Sequence, residues 1–339
     1  HKRGIALKNL FEYATKELSQ DAFLCWLFAN FDCEQEEVKD FSCYVLSWLI
    51  SDKLSLENIR QIKNVKILKQ YKKIDILVEC TFIDTPYIIV IEDKTCSTAH
   101  NRQLDRYRET VNSLYNSTYQ KRFIFFKTDI IGKEEDSDLK TYNGWKIKQT
   151  KEIHEAFTYF LKGKNLCEFN NEILHYYYDN LTNIYNAIIN RPQKVSDWKL
   201  YSWHSFFEDY IPIDGLVRNT EIRAYQKQYY YYKFTIAGHA EDLPSIEVRS
   251  RDYNKDNGKL KFRVVIYNVT PSNITEKNIT EWKNELCANA IKVCNRKDIS
   301  KNKQIGIFER TINGDNEFML IQVFNDVGNL LLRLYDKTY

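Results

Sequence analysis

The chain has no Cys-x-x-Cys pair, no tight Cys/His cluster, no long apolar run and no large excess of charge of one sign. Each absence removes a class of function. Its eight cysteines (Cys25, Cys33, Cys43, Cys80, Cys96, Cys167, Cys287, Cys294) are scattered through 339 residues, which reads as reduced thiols in a cytoplasmic protein and argues against zinc. No apolar stretch approaches the ~20 residues that a bilayer helix needs, so no membrane span is expected. Residues 1–192 carry 27 basic and 27 acidic side chains and residues 193–339 carry 22 and 19, for a net charge of +3. A nucleic-acid footprint must then be a local patch and not a global field. There is no internal repeat or low-complexity tract. His1-Lys2-Arg3-Gly4 lacks both a starting methionine and the apolar core of a secretory signal, which suggests a trimmed terminus.

What is present is a soluble, globular composition, 43% hydrophobic and 28% charged, long enough for two domains. Ser19 is placed to cap a helix through Ala22, Phe23, Trp26 and Leu27, and a second amphipathic helix is expected from Glu36 to Leu49. Ile74-Asp75-Ile76-Leu77-Val78 reads as a strand, followed by a turn at Asp84-Thr85-Pro86 and a second strand beginning at Tyr87. The continuous apolar run Tyr87 to Ile91 predicts a strand covered on both faces. Leu104, Tyr107, Val111 and Leu114 line one stripe of a helix, Arg122 to Phe126 forms another buried strand, and Trp145-Lys146-Ile147 and a helix from Glu152 to Leu161 follow. With Val65-Lys66-Ile67-Leu68 leading into the Asp75 strand, the order is helix, three strands, helix, strand, with a further strand and helix appended.

Asn190-Arg191-Pro192 is the expected boundary between a domain over 1–192 and a smaller α+β domain over 193–339. The second part is expected to hold a strand at Tyr229 to Ile236 and a hairpin of Ser245–Ser250 with Lys261–Tyr267 across Asp256-Asn257-Gly258. A helix around Thr280 to Val293 and a second hairpin across Asn313-Gly314 complete it. Tyr225 and Tyr229 to Tyr232, interleaved with Lys227 and Lys233, would form a base-stacking platform if they faced solvent. Strand tyrosines more often pack a sheet face.

Glu-x-Lys occurs three times, at Glu37, Glu92 and Glu281. The first and last copies lie in amphipathic helical stretches. Only Glu92-Asp93-Lys94 ends a buried strand with another acid, Asp75, on the strand before it. Adjacent pairing of these strands would bring two carboxylates and an ammonium together. Hydrolysing a phosphodiester requires charge neutralisation, an activated water and in-line orientation, all of which a divalent ion held by oxygens supplies. Asp75 and Glu92 are hard ligands suited to Mg²⁺ or Mn²⁺, and the Asp93 backbone carbonyl is placed to complete the set. Lys94 shares a strand face with Glu92, where it orients or deprotonates water, whereas Asp93 points the other way. The bland alternatives are Asp75 paired with Lys72 or Lys73, and a simple salt bridge for Glu92 and Lys94.

These residues resemble the PD-(D/E)xK nuclease superfamily, with its restriction-endonuclease-like α/β core of a mixed sheet flanked by helices. The resemblance covers roughly residues 10–130 and includes the order of elements. It implies metal ligation by Asp75, Glu92, the Asp93 carbonyl and a first-helix acid, Glu17, with Glu12 as rival. It implies catalysis by Asp75, Glu92 and Lys94. Gln103 and Tyr107 are similar to a Q-x-x-x-Y element that supports the site or contacts nucleic acid, and Lys72 and Lys73 join them as supporting or nucleic-acid-binding residues. Isoleucine at position 74 replaces the motif's proline. The opening from Asn9 to Asp21 looks like that of a bacterial branch often found near defence genes. The expectation is therefore a Mg²⁺- or Mn²⁺-dependent nuclease, with DNA favoured over RNA and an endonucleolytic mode favoured. Residues 193–339 would recognise substrate or a partner. A homodimer would suit double-strand cutting, which needs two sites. The alternatives are a catalytically silent nucleic-acid-binding module and an assembly subunit that retains the fold.

Overall fold

The computed structural model describes residues 17–95, 102–131, 138–142, 144–223, 229–237, 244–266, 276–293 and 303–336. The chain divides into two compact units, 1–186 and 187–339. The division falls within a helix.

The first unit is built on a five-stranded mixed sheet in the order β1-β2-β3-β4-β5, with β1 Ile62–Tyr71, β2 Ile74–Phe82, β3 Thr85–Lys94, β4 Gln120–Lys127 and β5 Trp145–Gln149. β1, β2 and β3 are antiparallel neighbours, joined by two-residue turns. β4 and β5 run parallel to β3, and this needs a crossover, which α3 (Gln103–Leu114) supplies between β3 and β4. β3 is the central strand that its apolar run predicts. Ile89 and Ile91 pack into one core with Ile76 and Val78, while Ile88 and Val90 pack into another with Leu104, Tyr107 and Val111 of α3. Each such fully buried aliphatic side chain contributes about 1.5–3 kcal/mol relative to exposure.

The first core is closed by α1 (Glu17–Ala29), α2 (Glu36–Ser51), α4 (Thr150–Gly163) and α5 (Glu172–Ile189). Ser19 lies inside α1 and does not cap it, because the helix already includes Glu17. This places Glu17 in the helix and not ahead of it.

The second unit contains a six-stranded antiparallel sheet, in the order β10-β11-β9-β8-β7-β6. Its strands are β6 Leu216–Arg223, β7 Tyr229–Ile236, β8 Ser245–Asn254, β9 Lys259–Ile266, β10 Lys292–Val293 and β11 Lys303–Thr311. One sheet face packs against α6 (Leu200–Asp209), α7 (Glu276–Ala288) and α8 (Glu317–Asp336), with Phe324 of α8 touching the rings of Phe206, Tyr210, Tyr232, Phe234 and Phe262. The expected hairpin across Asn313-Gly314 is instead a strand-to-helix turn. Leu320, Val323, Phe324, Val327, Leu331 and Leu334 repeat at helical spacing after it, and Asn316 Oδ1 accepts the Met319 amide at 3.0 Å at the helix start. Tyr232 points into this core and Tyr231 is also buried, so neither presents a stacking surface. Tyr225 and Lys227, and the side chains of Tyr229 and Tyr230, lie outside the described residues. Among the described residues no helix is long and apolar enough to cross a membrane.

Candidate active site

Antiparallel pairing of β2 with β3 sets Ile76 opposite Ile91, one step inside Asp75 and Glu92, so the two acids arrive at the same end of adjacent strands. Strand alternation turns Glu92 and Lys94 toward the α3 side, the side of Ile88 and Val90, and Asp93 toward α1. Glu92, Asp93 and Lys94 are all buried, and the Asp75 side chain keeps 18% exposure, leaving one open edge.

The Lys94 ammonium is the meeting point. It pairs with Glu92 Oε1, lies 3.8 Å from Asp75 Oδ2 and donates to the Asp93 carbonyl at 3.0 Å. Asp75 Oδ2 also accepts the Asp93 amide at 3.2 Å, and Oδ1 accepts Gln70 Nε2 at 3.2 Å. Asp75 therefore pairs with neither Lys72 nor Lys73. Burial pushes the Glu92 carboxyl up to about 8; Lys94 pulls it back down and Asp75 pushes it further up.

The three oxygens expected to bind metal thus already gather around one cation, the Lys94 ammonium. Asp75 and Glu92 set carboxyl oxygens beside the Lys94 ammonium, and burial, with Asp75 adding to it, holds the Glu92 proton up to about 8. That donor chemistry fits Mg²⁺ or Mn²⁺, with the remaining positions left to water and phosphate. Among the described residues no group of three or more His, Cys, Asp or Glu side chains is arranged to hold a metal; the oxygens gathered here come from Asp75, Glu92 and the Asp93 carbonyl. Glu12 and the Glu17 side chain lie outside the described residues; Glu17 itself stands at the start of α1.

Gln103 and Tyr107 act on the hairpin between β1 and β2. Gln103 Nε2 donates to the Tyr107 hydroxyl at 2.7 Å, and that hydroxyl donates to the carbonyl of Lys73. Tyr107 is 4% exposed, too buried to touch a nucleic acid, and burial pushes its hydroxyl up to about 12. These bonds tie the pair to the hairpin, and Gln103 remains half-buried. Lys72 and Lys73 form the exposed tip of the hairpin at φ 54° and 69°, a left-handed pair that asparagine and glycine ordinarily fill.

The residues that sequence reasoning missed are Gln70, Gln20 and Thr128. Gln20 of α1 donates to Asp93 Oδ1, and Thr128, just past β4, donates its hydroxyl to Gln20 Oε1 at 2.5 Å. Neither carries a sequence signal, because a glutamine in a first helical turn looks solvated until a strand is packed under it.

A model of the PD-(D/E)XK nuclease superfamily matches residues 6–231, more than half of the chain, and the chain belongs to that superfamily. The matched stretch runs beyond residue 186 into the second unit. No curated protein and no solved structure matches the chain.

Proposed function

We propose that the protein is a metal-dependent nuclease that hydrolyses phosphodiester bonds in DNA, in preference to RNA, by an endonucleolytic cut. The observation carrying this reading is the convergence of Asp75, Glu92 and the Asp93 carbonyl on Lys94 at one partly open strand end.

Asp75, Glu92 and the Asp93 carbonyl would hold Mg²⁺ or Mn²⁺, with Glu17 as a further acid from α1; when bound, the ion supplies Lewis-acid stabilisation of phosphate charge and an acidified water. As an ammonium Lys94 would orient the attacking water through its oxygen and neutralise charge on a phosphate oxygen; it would take up the water's proton only after losing one of its own and becoming the neutral amine. Asp75 and Glu92 fix the ammonium from two sides. Gln103 and Tyr107 brace the hairpin, and Lys72 and Lys73 at its tip contact the phosphate backbone, which positions the strand without reading its sequence. Residues 193–339 supply substrate or partner contacts. Action in the cytoplasm as part of bacterial defence, and as a homodimer where both strands are cut, completes the proposal.

The test is cleavage of plasmid, single-stranded DNA and RNA with Mg²⁺, with Mn²⁺ and with chelator, for wild type, Asp75→Ala and Lys94→Ala. Metal-dependent cutting by wild type alone is expected. Identical behaviour of all three proteins would make this a silent binding or assembly subunit.

A further inference from the structure

Asp93 looks like a spacer between the two motif residues, yet its amide, its carbonyl and its Oδ1 are committed to the site's geometry. Its amide donates to Asp75 Oδ2 at 3.2 Å, and its carbonyl accepts the Lys94 ammonium at 3.0 Å. Its Oδ1 accepts Gln20 Nε2 on the opposite face of the sheet. The other end of the same amide, Gln20 Oε1, accepts the Thr128 hydroxyl at 2.5 Å, and the Thr128 backbone amide donates to the carbonyl of Lys94 at 3.1 Å. A closed loop of hydrogen bonds therefore runs from Asp93 through α1 to the end of β4 and back to Lys94. Gln20, Asp93 and Thr128 are 6%, 0% and 3% exposed, so water does not compete for these bonds.

Gln20 is suited to this task because a primary amide donates and accepts at once. A carboxylate there would face Asp93 with like charge, and an apolar side chain would leave both partners without it. Gln20 also lies three residues after Glu17 in α1, so the bond to Asp93 ties the helix that carries the further acid to the strand that carries Glu92 and Lys94.

We propose that Gln20, bridged to Thr128, is a positioning residue that sets the metal-binding geometry of Asp75, Glu92 and the Asp93 carbonyl by acting through Asp93. The proposal rests on the nuclease reading of that site. It predicts that cutting the bridge at either end weakens metal binding although neither side chain touches the metal.

The experiment is Mn²⁺ binding to the full chain, followed by calorimetry or electron paramagnetic resonance, for wild type, Gln20→Met, Thr128→Val and the double variant, with thermal unfolding of each metal-free protein alongside. The expected result is a Kd for Mn²⁺ raised about tenfold or more in each single variant, the usual scale for groups that orient metal ligands. The double variant should be no weaker than the worse single one, since either change opens the same loop. A wild type that binds no Mn²⁺ overturns the nuclease reading on which the proposal stands. A wild type that binds Mn²⁺, with both single variants within twofold of it, overturns the proposal alone, and a lowered melting temperature in that case shows a purely structural bridge. Fully additive losses in the double variant also overturn it, since they mean two separate contacts. If Gln20→Met fails to fold, Thr128→Val decides by the same twofold threshold.

Discussion

The hydroxyl of Tyr107 donates a hydrogen bond to the carbonyl of Lys73, two residues ahead of Asp75, while accepting one from Gln103. A helix that crosses over between parallel strands thereby grips the hairpin that delivers the first acid.

Removing that hydroxyl in Tyr107→Phe takes a partner from the Lys73 carbonyl and from Gln103. A loss of about 1–2 kcal/mol in urea unfolding is expected, together with roughly tenfold slower cleavage, as for other groups that orient metal ligands. A cleavage rate equal to wild type would reduce Tyr107 to a packing residue.

With Glu92 as a ligand, as proposed, metal binding should depend on pH. Metal requires the ionised carboxylate, and burial, with Asp75 adding to it, holds the proton up to about 8. Mn²⁺ affinity should therefore climb with pH below about 8 and level off above it. The metal-free protein should behave oppositely in stability. Between the ordinary glutamate value near ~4.3 and about 8 the folded state binds the extra proton, so stability falls as pH rises through that window. Glu92→Gln should flatten both profiles, and calorimetric titrations at several pH values, with melting curves, would check this.

Asp40 of α2 sets a different pH limit. Burial alone would raise its carboxyl, but hydrogen bonds from Arg60 at 3.0 and 3.2 Å and from Lys164 at 2.7 Å outweigh burial and hold it below the usual range. A depressed folded value contributes stability that is present above the unfolded value near ~3.9 and is lost as pH falls through the folded one. Asp40→Ala should cost about 1–3 kcal/mol at neutral pH and flatten the acid limb of the melting profile. An unchanged acid limb would assign acid sensitivity to other carboxylates.

In the second unit, Arg191 forks onto Glu317 at 3.0 and 2.7 Å, reaches Asp209 at 2.6 Å and Ser205 at 2.7 Å, and lies over the Trp198 ring. Lysine matches the charge but not the fork. Arg191→Lys should destabilise the protein by about 1–3 kcal/mol. Melting curves of the two proteins within experimental error of each other would show that charge alone suffices.

The central strands were legible because their apolar runs are too continuous for a half-exposed strand, as at Ile88 to Ile91 and Phe123 to Phe126. Asp75, Glu92 and Lys94 stood out as polar residues at the ends of such runs. The turn at Asn313-Gly314 was misread because Asn-Gly suits both a hairpin and a helix entry, and only the stripe from Leu320 to Leu334 chooses between them. The tyrosine run was ambiguous for a related reason. Alternation assigns residues to two faces without saying what covers either, and here Tyr231 and Tyr232 are both buried.

Local pattern by itself thus determined the strands, their order and the acids and lysine at their ends, since burial periodicity and strand alternation are short-range properties. Only the tertiary structure decided what surrounds those residues. Gln20 and Thr128 lie 73 residues or more from their partners Asp93 and Gln20, and no local pattern reports a hydrogen bond over that separation. The same holds for Tyr107 on Lys73 and for the desolvation that holds the proton on Glu92, because both arise when distant elements close over the strand ends and exclude water.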